Sequence, residues 1–325
     1  MTIAITGATS MLGVATIKQC IQKNISVLAF VRKNSANMKR LPDSSLVKVV
    51  ECDLSEMVDF NTNGFAADVF IHFGWAFTDK IGRNDVTKQL QNVQYTIDAI
   101  HLAKRLGCKK FVGAGSQAEY GTPNVMLKAD TPVNPLIPYG VAKYVAGRLS
   151  AMECKKEGLE YNWVRILSVY GEHDNSWTML NQLIFNAKND IPMGLSGGEQ
   201  TWDYLYEEDA GAAFVAVAEK GVNGKIYPLG SGVGRSLKEY VQDVITVVNP
   251  EYKAEFGRYP YSPHQPMYLV ADVSQLEEDT GWKPMHIFYE KVQDIMGGGY
   301  SGRVVFIYYN RTRYSYADTF FMEAA

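Results

Sequence analysis

Six apolar runs punctuate the first half of the chain, at residues 2–6, 25–31, 46–51, 68–73, 109–114 and 161–167. Helix-length segments lie between them, notably 11–23, 84–107 and 139–157. Strands that alternate with helices must cross back over the sheet, which predicts a parallel sheet with right-handed connections and both faces covered. Continuous runs such as "DVFIHF" suit strands buried on two sides rather than one. The expected fold class is therefore α/β, a Rossmann-type doubly wound parallel sheet.

The rhythm changes after Gly171. A helix-like stretch (177–189) leads to the glycine turn "GLSGGEQTWDYLY", an alanine-rich helix (208–220) and a short strand (225–229). Glycines 230, 232 and 234 precede another helix (236–248), and a loop rich in proline and tyrosine follows. This part reads as a smaller C-terminal α/β lobe whose chain returns to the sheet. The expected boundaries are 1–171 for the sheet domain with return segments near 203–231, and 172–202 with 232–296 for the lobe. Residues 297–325 form an atypical, aromatic-rich tail.

Of the 325 residues 46% are hydrophobic and 21% charged, which excludes wholesale disorder. A net charge of −3 with interspersed signs gives no footprint for nucleic acid or a membrane surface. Cys20, Cys52, Cys108 and Cys154 are scattered, so reduced thiols are expected and no metal cluster. A strand begins almost at Met1 and leaves no space for a signal peptide, so a cytoplasmic protein is expected.

The opening "MTIAITGATSMLG" joins the first strand to its helix through Gly7, Ser10 and Gly13. A glycine-rich link of this kind lets backbone N–H groups approach a pyrophosphate at the positive end of the helix dipole. An ordinary strand-helix turn would look similar. The second strand ends in Val31, and Arg32 and Lys33 follow it with no acid nearby. Paired cations there suit a ribose 2′-phosphate, so NADP(H) is expected, with NAD(H) as the alternative; a solvated basic turn has the same composition. Asp53 ends the third strand, where it suits either an adenine amine or a helix cap.

"PYGVAKYVAG" sets Tyr139 and Lys143 four residues apart at the start of a helix, on one face. A lysine ammonium near a phenol favours the phenolate, which can exchange a proton with a carbinol or carbonyl oxygen. Ser116 lies just past the carboxyl end of a strand, where ligands bind in open α/β sheets. It could share a substrate oxygen with Tyr139, or simply cap a turn.

The chain from Met1 to about Met285 closely resembles the extended short-chain dehydrogenase/reductase family, the NAD(P)-dependent epimerase/dehydratase group acting on nucleotide sugars. Matching pieces occur in order: "TGATSMLG", "DL" at 53–54, "HFGWA" at 72–76, "NVQYT" at 92–96, "GSQAEYG" at 115–121, "YGVAK" at 139–143, "VRILSVYG" at 164–171, "QTWDYLYEEDAG" at 200–211 and "DTGWKP" at 279–284. The resemblance implies that Tyr139 is the general acid/base, that Lys143 holds the nicotinamide ribose and tunes it, and that Ser116 meets the substrate oxygen. It implies cofactor contacts from Gly7, Thr9, Ser10, Met11, Leu12, Gly13, Arg32, Lys33, Asp53, Leu54, Phe73, Gly74, Asn92, Leu167 and Val169. Gln117, Asn175, Trp202, Arg258 and His264 are the candidate substrate residues, and a homodimer is implied.

Two departures bear on the substrate. The family often has Arg-Asp-Phe where this chain has Trp202-Asp203-Tyr204, so the arginine that reaches the nucleotide phosphates is missing. Lys188 and Arg258 are candidate replacements, and Trp202 suits either stacking on a ring or packing in the lobe. The Asp-Glu pair of the family's dehydratases is replaced by Gln117 and Ala118, which argues against water elimination. With the NADP reading, these features lead to the expectation of an NADPH-dependent reductase of a 4-keto-6-deoxy nucleotide-linked hexose. The alternatives are an epimerase with tightly held NAD, and a non-catalytic NADP-binding sensor, which would have no use for a tuned phenol.

Overall fold

The computed structural model describes residues 1–262 and 265–295; the expected tail at 297–325 lies outside them. In chain order the first half runs β1 (Thr2–Thr6), α1 (Met11–Gln22), β2 (Ser26–Val31), β3 (Val47–Glu51), β4 (Val69–His72), α2 (Lys80–Asn84), α3 (Val86–Arg105), β5 (Lys110–Ser116), α4 (Pro138–Glu157) and β6 (Glu160–Ile166). The second half adds β7 (Ser168–Tyr170), α5 (Met179–Lys188), β8 (Thr201–Trp202), β9 (Tyr204–Tyr206), α6 (Glu207–Lys220), β10 (Ile226–Leu229), β11 (Arg235–Ser236), α7 (Leu237–Val248), β12 (Tyr268–Leu269), α8 (Ser274–Thr280) and α9 (Phe288–Ile295).

Seven strands form one parallel sheet in the order β10-β6-β5-β4-β1-β2-β3. Its central strands are apolar on both faces, and Ile3, Ile5, Phe70, Ile71, Phe111 and Val112 are fully buried. Helices α1 and α6 pack together on one face, α3 and α4 on the other. Gly211 permits the first contact, because a Cβ there would lie 2.6 Å from the Ala15 carbonyl carbon.

The strand order reverses between β1 and β4, which opens a crevice at their carboxyl ends. Pro138 opens α4 where its missing N–H costs nothing. The C-terminal part adds a three-stranded sheet, β11-β8-β12, and a two-stranded one, β7-β9. Its core continues into the α1/α6 face through Tyr170, Tyr240 and Phe288. Asp203, fully buried, ties its segments by accepting from the amides of Ser231 (2.6 Å), Gly232 (3.0 Å) and Ala271 (3.1 Å).

Candidate active site

The glycine turn sits at the crevice. Gly7 is left-handed (φ +65°), and a Cβ on it would stand 3.0 Å from both Gly74 N and the Phe73 carbonyl carbon. A Cβ on Gly13 would meet the Gly7 oxygen at 2.4 Å, so α1 can start this close to β1 only with glycine. Ser10 caps α1, its Oγ accepting from Gly13 N–H at 3.1 Å. The amides of Met11 and Leu12 lie at the helix start, where no intrahelical acceptor exists. The result is a donor-lined, tightly turned cradle that fits a dinucleotide pyrophosphate. Half-buried Thr9 belongs to the same turn.

Phe73 and Gly74 follow β4 into the crevice, Gly74 N–H donating to Thr6 Oγ1 and Phe73 packing edge-on against Phe214. Leu54 approaches Gly74 from the end of β3. Asp53 is a helix cap: its carboxylate accepts from Ser55 N–H while Glu56 returns the bond to the Asp53 amide. Arg32 and Lys33 stand exposed in the turn after β2, without an ion pair or side-chain hydrogen bond among the described residues. Leu167 is buried, its amide bonded to the Leu229 carbonyl, and Val169 is half-buried in β7.

Ser116 ends β5 and caps a short turn at 117–119, its Oγ accepting from Ala118 N–H. Helix α4 packs on that turn, since a Cβ on Gly140 would lie 2.4 Å from the Ala118 oxygen. This contact brings Tyr139 to the Ser116 end of the sheet. Lys143 is 5% exposed; its ammonium donates to the Ala114 carbonyl at 2.6 Å and lies 6.0 Å from the Tyr139 ring centre. Burial holds the Lys143 pKa down to about 7, Glu119 opposing that shift and Arg83 adding to it.

Several residues of this neighbourhood have partners that the sequence did not reveal. Glu119 accepts from Ser116 N–H (2.9 Å), Trp163 Nε1 (2.9 Å) and Arg165 Nε (2.8 Å), a fully enclosed ion pair behind Ser116. Asn92 does not merely line the region behind the site: its amide clamps both backbone groups of Ala76. Trp75 stands against Lys143, and the Arg83 guanidinium lies 4.7 Å from the Tyr139 ring centre. Partner identity of this kind depends on the crossing of β4, α2 and α4, which local spacing does not encode.

The candidate substrate residues are more dispersed. Gln117 is half-buried beside Ser116, and Asn175 is exposed in the loop before α5. Trp202 takes the packing role: it is 1% exposed, and its Nε1 donates to Ser168 Oγ at 2.6 Å. Arg258 and Lys188 are exposed, Arg258 lying 3.9 Å from Glu255. His264 lies outside the described residues.

At the edge of this region Glu207 is 3% exposed, and one carboxylate oxygen has no hydrogen-bond partner. Burial pushes its pKa up to about 7, against the pull of the Glu172 and His173 amides and Lys18. The folded state therefore binds more protons than the unfolded one between about pH 4.5 and 7, and stability falls as pH rises through that window. Glu207→Gln is expected to remove this slope. In urea melts the variant should match the parent at pH 4.5 and exceed it at pH 8 by on the order of 2 kcal/mol.

The fold and the site define a nucleotide-binding enzyme with a tyrosine-lysine pair. Residues 3–230 match the family model "NAD dependent epimerase/dehydratase family", and the chain belongs to that family. A Methanocaldococcus jannaschii protein with the provisional name UDP-glucose 4-epimerase is 27% identical over 296 residues, 87% of this chain and 93% of its own length. The fold is shared with the UDP-glucose 4-epimerase of Thermus thermophilus, solved with NAD (TM-score 0.80, 18% identity, 92% of this chain and 100% of that one). It is shared equally with the UDP-glucuronic acid 4-epimerase of Bacillus cereus, solved with UDP-glucuronic acid and NAD (TM-score 0.77, 20% identity, 90% and 97%).

These relatives correct two expectations. The preference for NADP is overturned, because the solved relatives whose cofactor is named hold NAD. Physically, Arg32 and Lys33 form the solvated basic turn that their composition equally allowed. The NADPH-dependent 4-keto reductase falls with it, since UDP-glucose 4-epimerases recur among the relatives in sequence and in structure.

Proposed function

We propose that this enzyme is an NAD-dependent 4-epimerase of a nucleotide-linked hexose. The observation that carries the reading is the Tyr139-Lys143 pair, packed on the Ser116 turn at the carboxyl edge of a sheet whose first turn suits a pyrophosphate. Met11, Leu12 and the Gly7–Gly13 turn would hold the cofactor diphosphate, and Lys143 the nicotinamide ribose. When bound, the nicotinamide supplies a reversible acceptor for the hydride on C4 of the sugar.

Tyr139 takes the proton from the C4 hydroxyl, and the Ser116 hydroxyl holds the same oxygen. When protonated, Lys143, 6.0 Å from the Tyr139 ring centre, would attract the negative phenol oxygen that begins the cycle. Tyr139 would then return the proton it took to the C4 oxygen presented from the other face, Ser116 still holding that oxygen, and the bound cofactor would supply the hydride. No net oxidation results, and the product differs only in configuration. Gln117 and Ala118 offer no acid/base pair for water loss, which fits a reaction that ends at this point.

Acid extraction of the purified protein is expected to release NAD rather than NADP. Without added reductant, it is expected to interconvert the C4 epimers of a UDP-hexose, read by anion-exchange chromatography. Absence of interconversion across UDP-, dTDP- and GDP-linked hexoses, with NAD added, would sink the proposal.

We infer a homodimer through α3 and α4. Val86 and Leu90 on α3, and Val141 on α4, expose 44–61% of their surface around an apolar groove, and Met152 further along α4 exposes 60%. Light scattering is expected to give twice the chain mass, and Leu90→Glu the monomer; a monomeric parent would refute it. Among the described residues no helix is long and apolar enough to cross a membrane.

A further inference from the structure

The Lys143 amine sits in a place that hardly sees water, and among the described residues its close partners are few. One is the Ala114 carbonyl. Another is the face of the Trp75 indole, whose ring centre lies 3.7 Å from Nζ. The same indole meets the Tyr139 ring at a right angle, centres 6.0 Å apart. Trp75 therefore touches both members of the pair at once.

The indole is itself held. Its Nε1 donates to Gln89 Oε1 at 3.0 Å, and Gln89, 1% exposed, donates through Nε2 to the carbonyls of Phe77 (3.2 Å) and Gly82 (2.9 Å). Asn92, one turn further along α3, fixes the adjoining Ala76 backbone. A clamp of this kind, built on a buried glutamine, points to a required orientation of the ring.

We propose that Trp75 is a positioning residue of the Tyr139-Lys143 pair: its face carries the buried Lys143 amine and its perpendicular contact orients the Tyr139 ring. An ammonium over a desolvated indole is attracted by the ring's negative face, most strongly where water cannot compete. Other charges face Lys143 as well. Arg83 on α2 repels it and Glu119 behind Ser116 attracts it, while His72 at the end of β4 is kept neutral by burial, with its pKa held down to about 3. Tyr139 lies on its own helix. With Trp75 removed, these groups remain, and the ammonium loses its main compensating surface apart from one carbonyl.

The inference rests on Tyr139 and Lys143 being the working pair, but its test needs no substrate and is read separately from the epimerase assay. In cofactor-free protein labelled with 13Cε-lysine, the Lys143 signal is assigned by its loss in Lys143→Met and titrated with pH. Trp75→Leu is expected to lower the midpoint by about one pH unit, and Trp75→Phe to restore most of it. The alkaline limb of kcat/KM for the sugar substrate should move the same way.

Fluorotryptophan labelling covers the case in which Trp75→Leu does not fold. The Lys143 signal reports on the indole that faces it, and fluorination weakens this contact with little change of shape. Each added fluorine should lower the Lys143 midpoint further. A midpoint unchanged by fluorination, or equal in the leucine variant and the parent, would overturn the proposal.

Discussion

Tyr139→Phe is expected to lower kcat by about 10²–10⁴-fold, the usual contribution of a positioned acid/base group. The ring survives the change, so the edge contact with Trp75 and the Arg83 contact are retained. Fold, cofactor content and KM should therefore stay close to those of the parent, and the loss should fall on turnover. Ser116→Ala removes a turn cap and, on the proposed reading, one partner of the substrate oxygen, so its loss should be smaller. Steady-state kinetics with NAD content measured in parallel separates these cases. A Tyr139→Phe enzyme that retains more than a tenth of the parent kcat would refute the assignment.

Arg165→Met is expected to cost about 3–5 kcal/mol of stability, because it strands a buried charge. Arg165 and Glu119 expose 4% and 1% of their side chains. The guanidinium donates to Glu119 Oε2 and to the Ala129 carbonyl, and lies 4.6 Å from the Tyr120 ring centre. Without it, Glu119 keeps its bonds to Ser116 N–H and Trp163 Nε1 but loses its ion-pair partner. Adding Glu119→Leu should recover part of the loss, since an apolar pair avoids both desolvation penalties. Urea unfolding of the single and double variants measures this coupling directly. A single variant within about 1 kcal/mol of the parent would show that the pair does not hold the β5–β6 end of the sheet together.

The two predictions meet at Ser116. Its backbone is held by the buried ion pair and its hydroxyl caps the 117–119 turn, so core stability and candidate-site geometry share one strand end. A chain weakened at Arg165 should lose activity at temperatures where it still retains most of its secondary structure.

The sheet was legible because burial on both faces leaves its mark locally, as unbroken apolar runs. The strands fall within a residue or two of those runs, and α4 begins at Pro138, one residue before the expected start. The two small sheets of the C-terminal part were not anticipated: β8, β11 and β12 have two residues each. Strands so short have no periodicity of their own and exist through their partners.

Ser116, Tyr139, Lys143 and the Gly7–Gly13 turn could be singled out as candidates from residue type and spacing, because the chemistry proposed for them is local to one strand end, one helix turn and one loop. Arg32 and Lys33 show the opposite case. Two cations after a strand have one composition whether they grip a phosphate or stand in water, and only their surroundings separate the readings. Trp202 likewise turned on burial: at 1% exposure it packs the lobe and bonds to Ser168.

What the sequence by itself determined is the alternation that forces a parallel sheet, the turn that lets a backbone approach a diphosphate, and the helical spacing that pairs a phenol with an amine. Only the tertiary structure decided what surrounds that pair. Trp75 after β4, Arg83 on α2 and Glu119 after β5 reach it from three separate elements. The strength of an electrostatic contact depends on distance and on excluded water, and both arise only when those elements close over one another.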